Sequence, residues 1–362
     1  MASITQNDTM KLAAKSAIKK LNYHTTPGGA MVCAEGVNEK KGSANEFYEY
    51  CATTEFLNPL GIILSLTGDF SVADRIEKMT FNALQGGRLP DLKALSYITS
   101  ENRMHTNPKQ HGERKTYDAY HKAAACCALN AGRVMPYYIQ HMWKKNISQT
   151  ALIAALYGPN KLNTQINGIN VQINERTDYP FSEEVNFDVE SDGNVSFDLV
   201  FRKPHGCKNV DVEGIDKNDI QDFKDKIVIS RKWEKKKTFS LKFDFDIKIK
   251  KDNNEIYFQR GALIYAMPVE YRTDTIRTHK NTDFHQFIMH RTNKQEVDYS
   301  IDKTNKFKFT KTKNDNYNYP FDKPLVSLTG SMLTNKEEIK EVTLVPLGNT
   351  VLRKVSFRFN KK

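Results

Sequence analysis

The chain has 362 residues, of which 39% are apolar and 27% charged, and its mean hydropathy is −0.61. That leaves room for two or three domains and enough apolar content to fold, so wholesale disorder is not expected. No apolar run approaches the roughly 18 residues that span a bilayer, no signal-peptide core is visible in the first twenty residues, and five cysteines exclude a disulfide scaffold. The net charge of +11 is diffuse: residues 1–150 hold 18 Lys/Arg against 13 Asp/Glu, and the remainder 36 against 30. With no basic arm and no zinc-finger, RNP1 or helix-turn-helix pattern, nucleic acid is not expected as a partner.

Phe56, Leu57, Leu60, Ile63, Leu64 and Leu66 recur at helical spacing. Val72, Ile76, Met79, Phe81 and Leu84 form a second helical series, with Asp69 where an N-cap would fall. Residues 100–116 read as a long polar loop of the kind that is often functional. A third helix is expected from about Tyr117 to Lys144, interrupted at Gly132 and Pro136.

Near residue 150 the period becomes two. GINVQI (168–173), FKFT (307–310) and VSFRF (355–359) are short strands. VNFDVE (185–190) and VSFDLVF (195–201) flank Ser191-Asp192-Gly193-Asn194 and predict a hairpin. The basic run Arg231 to Lys237 reads as a solvated strand end. In LKFDFDIKIK (241–250), Leu241, Phe243, Phe245, Ile247 and Ile249 share one face, which predicts a single strand with one wet side. Many short strands suggest β-sandwiches, with a boundary between two β units near residue 265. No fixed-period repeat is present.

Cys126 and Cys127 are adjacent, in AAACCALNAGR. In a helix such a pair is commonly a small apolar filler, yet both thiols reach one ion if the backbone kinks there. Cys51 lies two residues after Glu49, and in an extended segment positions i and i+2 face the same way. Together the four residues would make an S3O metal set, although their spacing matches no zinc-ribbon pattern. Cys33 and Cys207 stand outside it as ordinary thiols. Glu35 follows a Gly-Gly turn and on its own reads as a surface charge. There is no HExxH, P-loop or GxSxG motif.

Taken in order, these segments resemble glycoside hydrolase family 127, whose best-known members are β-L-arabinofuranosidases. The resemblance is carried by GGAMVCAEG (28–36), EYC (49–51), TGDFSVADRIEKMTFNAL (67–84), ALSYITSEN (94–102), ACCALNAGRVMPYY (125–138), FQRGALIYA (258–266) and LVPLGNTVLRKVSF (344–357). It extends over about residues 15–358. Three positions depart from the family pattern: Tyr50 stands for Thr, Ala128 for Pro and Ala262 for Pro. The family also carries a long helical region ahead of the Gly-Gly-Glu block.

The resemblance implies an α+β multidomain chain. Residues 1–150 would form the C-terminal part of an (α/α)6 catalytic barrel, 151–265 a β-sandwich, and 266–362 a second sandwich or β extension. It implies a retaining hydrolase acting on L-arabinofuranose or a related sugar, with Cys126 as nucleophile and Glu35 as acid/base. Zn2+ would be held by Glu49, Cys51, Cys126 and Cys127, and Glu77 and Tyr97 would contact the sugar. The alternative is a truncated, inactive homologue that binds carbohydrate or protein. The expected partner is a carbohydrate substrate, with a homo-oligomer or a missing N-terminal segment completing the barrel. Without a signal or a span in this sequence, the default location is the cytoplasm.

Overall fold

The computed structural model describes residues 7–33, 40–108, 112–119, 125–292, 295–302, 304–312 and 318–360. Among the described residues the α-helices are few and lie within the first 140 residues. Helix α1 spans Asp8–Leu21, and its Asn7 N-cap accepts from the Met10 amide. Helix α2 spans Tyr50–Thr67 and buries Leu57, Leu60 and Leu64. It stops at Gly68, where a left-handed φ of 62° is easy for glycine. Helix α3 spans Phe70–Lys78, capped as expected by Asp69 on the Ser71 amide (3.0 Å), and widens into a π-helical turn over Met79–Leu84. Helix α4, Ala125–Gln140, packs on α2. A Cβ on Gly61 of α2 would lie 1.9 Å from the His141 ring, so glycine permits this close approach.

Tyr117 and Asp118, expected at the start of the third helix, instead make isolated bridges to Phe287 and Leu95. Gly132 and Pro136 are absorbed without ending α4. The long polar stretch is largely bound: Arg103 bridges Arg353, His105 bridges His290, and the Thr106 amide donates to the Met289 carbonyl. Arg353 is fully buried and donates to the carbonyls of Gly86, Ser100, Glu101 and Thr350. These bonds fasten the helical segment to the C-terminal strands.

Two five-stranded sheets occupy residues 143–245. One runs 220–222, 226–233, 195–202, 151–154, 143–145; the other runs 160–166, 169–176, 184–191, 236–245, 207–213. Pairing is antiparallel except for Ala151–Ala154 beside Val195–Arg202. Between them lies an aromatic core: Phe187 of one sheet meets Phe201 of the other at 4.9 Å between ring centroids. The expected hairpin is therefore corrected. Strands 184–191 and 195–202 lie in different sheets, and the Ser-Asp-Gly-Asn link crosses between layers. Both strands bury their Val and Phe residues, which face the same core from opposite sides.

A nine-stranded sheet then occupies Lys248 to Phe359, with a separate hairpin formed by Tyr271–Thr278 and His285–Arg291. Two further expectations are corrected. The run 241–250 is two strands, Lys236–Phe245 and Lys248–Asp252, in different sheets, and Ile249 is exposed. Residue 265 lies inside a strand, whereas the sheets change between Phe245 and Lys248. Among the described residues no helix is long and apolar enough to cross a membrane.

Candidate metal centre

The centre is assembled by one short strand pair and two helices. Tyr48–Glu49 pairs with Ile98–Thr99, so Glu49 sits opposite Ile98. The Glu49 amide donates to the Cys33 carbonyl (2.7 Å) and the Tyr50 amide to the Tyr97 carbonyl (2.9 Å). The chain turns into α2 at this point, which places Cys51 in the helix's first turn. The thiols of α4 lie against it. Arg88 ties the two helices together, donating from Nε to the Tyr50 hydroxyl (2.7 Å) and from its other end to the Ala131 carbonyl.

The side chains of Glu49, Cys51, Cys126 and Cys127 offer donor atoms that all lie within 4.8 Å of one another. Cys51 Sγ is 2.8 Å from Cys127 Sγ and 3.1 Å from Cys126 Sγ, and the latter two are 4.0 Å apart. Glu49, Cys51 and Cys127 are buried; Cys126 is exposed. Apolar filling does not account for the whole pair: Cys126 is exposed, and Cys127, although in the hydrophobic core, has Cys51 Sγ at 2.8 Å.

Electrostatics show why this group suits a cation. The hydrogen bond with Cys127, above all, draws the Cys51 thiol down to about 7, and the first turn of α2 favours the same anion. Cys127 is pushed far up by its bond to Cys51 and by burial, and Cys126 is pushed up by burial. Without a counter-charge, ionisation of Cys51 therefore disfavours ionisation of the other two thiols. A dication removes that restriction and lets the remaining thiols ionise. Four tetrahedral donors with bonds of about 2.3 Å would stand roughly 3.8 Å apart, a spacing that this cluster brackets. The residues thus fit a thiophilic metal ion.

The other expected site residues fall differently. Tyr97 is at the centre, buried, with its side chain hydrogen-bonded to Cys126 and its ring under Arg114. Glu35 lies outside the described residues. Glu77 is not an open sugar acceptor. It is 1% exposed, and its carboxylate accepts from the Arg202 guanidinium, the Tyr179 hydroxyl (2.7 Å) and the Tyr157 amide (3.4 Å). Asp74 joins the same fully buried Arg202, so Glu77 anchors α3 to the sandwich. Sequence reasoning assigned no role to Asn130, whose side chain favours the Cys51 thiolate. Its place one helical turn after the double cysteine was the available signal.

Two family models match the chain: "Beta-L-arabinofuranosidase, GH127 catalytic domain" over residues 1–140 and the corresponding "GH127 middle domain" over 151–245. Among solved structures, a GH127 β-L-arabinofuranosidase from Geobacillus stearothermophilus T6 superposes with a TM-score of 0.75 at 17% identity, covering 99% of this chain and 58% of that one. A protein titled "Glycoside hydrolase" gives 0.70 at 18% identity, with 93% and 60% covered. A GH127 β-arabinofuranosidase gives 0.68 at 17%, with 94% and 54% covered. The chain thus spans somewhat over half the length of these structures. A comparison with curated protein sequences finds no match.

Proposed function

Because this chain belongs to glycoside hydrolase family 127, we propose that it is a retaining glycoside hydrolase whose nucleophile is the Cys126 thiolate. One observation carries the reading: three sulfurs and a carboxylate within 4.8 Å, with Cys126 the one exposed residue of the four. Glu49, Cys51, Cys126 and Cys127 would hold the ion, and a donor set of three thiolates favours Zn2+. When bound, zinc keeps the thiols deprotonated near neutral pH.

Cys126 Sγ attacks the anomeric carbon of the sugar, forming a carbon–sulfur bond as the leaving oxygen departs. Glu35 gives that oxygen its proton, then takes one from the water that cleaves the carbon–sulfur bond. Tyr97, hydrogen-bonded to Cys126, orients the nucleophile. The sugar class is L-arabinofuranose or a close relative, as the matching family models and the Geobacillus enzyme suggest. In the same reading residues 1–150 belong to an (α/α)6 barrel, the sandwich to about residue 245 is the middle domain, and the remainder is a β extension.

The test is release of a chromogenic L-arabinofuranoside. Cys126→Ser and Glu35→Gln should each lose more than about 1,000-fold in kcat, with zinc content unchanged in Glu35→Gln. Full activity in Cys126→Ser would refute the nucleophile. Zinc uptake without hydrolysis by the unaltered chain would favour the carbohydrate- or protein-binding alternative.

A further inference from the structure

The three sulfurs of the centre are placed for a second chemistry besides metal binding. Cys126 is exposed, whereas Cys51 and Cys127 are buried, Cys127 completely. An oxidant in solution therefore meets Cys126 first. The sulfur nearest to Cys126 Sγ belongs to Cys51, at 3.1 Å, within about 1 Å of bonding distance. Cys127 Sγ is further away, at 4.0 Å. Cys126 and Cys127 are also successive residues of one helix, where side chains diverge by about 100°, so joining them would distort the first turn of α4. Cys51 approaches instead from α2, a separate element. The Cys51–Cys127 pair is closer still, at 2.8 Å, but both of its residues are buried. Cys33 and Cys207 lie outside the cluster. An exposed thiol with a second thiol from another element at this range is the arrangement in which a sulfenic acid is resolved to a disulfide.

We propose that the centre is a peroxide-responsive thiol switch, in which Cys126 is oxidised and Cys51 closes a disulfide on it. The Cys126 thiolate attacks one oxygen of hydrogen peroxide. The oxygen–oxygen bond breaks, hydroxide leaves, and the sulfur, oxidised by two electrons, becomes a sulfenic acid. The Cys51 thiolate then attacks the Cys126 sulfur, a sulfur–sulfur bond forms, and the sulfenic oxygen leaves as a second hydroxide. Two thiolates have lost two electrons in total, and the peroxide has become two hydroxides. Glu49 and Cys127 then remain as donors, two short of the four that a closed zinc site uses, so zinc is released. A dithiol reductant restores both thiols. The proposal rests on the thiolate centre of the preceding reading and not on hydrolysis, since the disulfide forms whether or not the chain cleaves a glycoside.

The test treats the zinc-loaded full chain with a small excess of hydrogen peroxide, blocks the free thiols and maps the non-reduced peptides by mass spectrometry. Released zinc is followed with a colorimetric chelator. The expected result is a peptide pair joined through Cys51 and Cys126, loss of about one zinc per chain, and reversal of the cross-link by dithiothreitol. Cys33→Ser and Cys207→Ser should give the same cross-link. Cys51→Ser should give none and should carry Cys126 on to the sulfinic or sulfonic acid. Sulfinic or sulfonic Cys126 in the unaltered chain without a cross-link, a cross-link through Cys127 instead, or zinc retained after cross-linking would overturn the proposal. Should Cys51→Ser fail to fold, the peptide map of the unaltered chain decides alone. Should the chain release no sugar at all, the map still decides, and only the hydrolase reading fails.

Discussion

Replacing Glu101 by Gln should make the protein less sensitive to pH. Glu101 is fully buried in the ALSYITSEN segment. Its Oε1 accepts from the Gly28 amide (2.7 Å) and the Thr26 hydroxyl, while its Oε2 is buried without a partner among the described residues. Burial therefore pushes the carboxyl up from 4.5 to about 7. Between those values the folded state keeps the proton and the unfolded chain does not. The group's favourable contribution is thus fully present below 4.5 and is lost as pH rises to about 7. At about 1.4 kcal/mol per pH unit, the loss is about 3 kcal/mol over that window. Gln retains the acceptor and cannot ionise. Urea unfolding of both proteins from pH 4.5 to 8 should show near-equal stability at the acid end and Glu101→Gln ahead by about 3 kcal/mol at pH 8. Glu175, similarly raised to about 8, acts equally in both proteins and cancels in the difference. A difference that stays constant across the range would refute the reasoning.

Other substitutions probe the frame of the centre. Arg202→Met strands two carboxylates, Asp74 and Glu77, and should cost about 3–5 kcal/mol in unfolding measurements. Gly61→Ala puts a methyl group 1.9 Å from the His141 ring, forcing α2 and α4 apart. It should cost about 1–3 kcal/mol and also weaken metal binding, because those helices carry all three sulfurs. Cys51→Ser and Cys127→Ser should lose stoichiometric zinc in metal analysis, whereas Cys33→Ser and Cys207→Ser should keep it, since neither belongs to the cluster.

The sequence made the change from helical to alternating periodicity near residue 150 readable, because burial imposes its period on each element directly. Asp69 was legible as a cap for the same local reason. What escaped depended on distant partners. The turn Ser191–Asp192–Gly193–Asn194 has hairpin chemistry, but the facing of two hydrophobic strands across a sandwich decided that it crosses between sheets. The alternation through Ile247 and Ile249 hid a sheet boundary, since alternation does not say which sheet a strand joins. Glu77 was assigned to the sugar by the family resemblance alone, and its pairing with Arg202, 125 residues away at the end of a strand, has no local signal. The convergence of Glu49, Cys51 and the double cysteine was not derivable from spacing. Family resemblance suggested it, and the packing of α2 on α4 realises it.

The most direct test is zinc K-edge X-ray absorption on the purified, metal-loaded chain. One zinc per chain with three sulfur neighbours at about 2.3 Å and one oxygen at about 2.0 Å is the expected spectrum. A first shell of nitrogen and oxygen only, or zinc that does not bind stoichiometrically, would contradict the thiolate centre and the chemistry built on it.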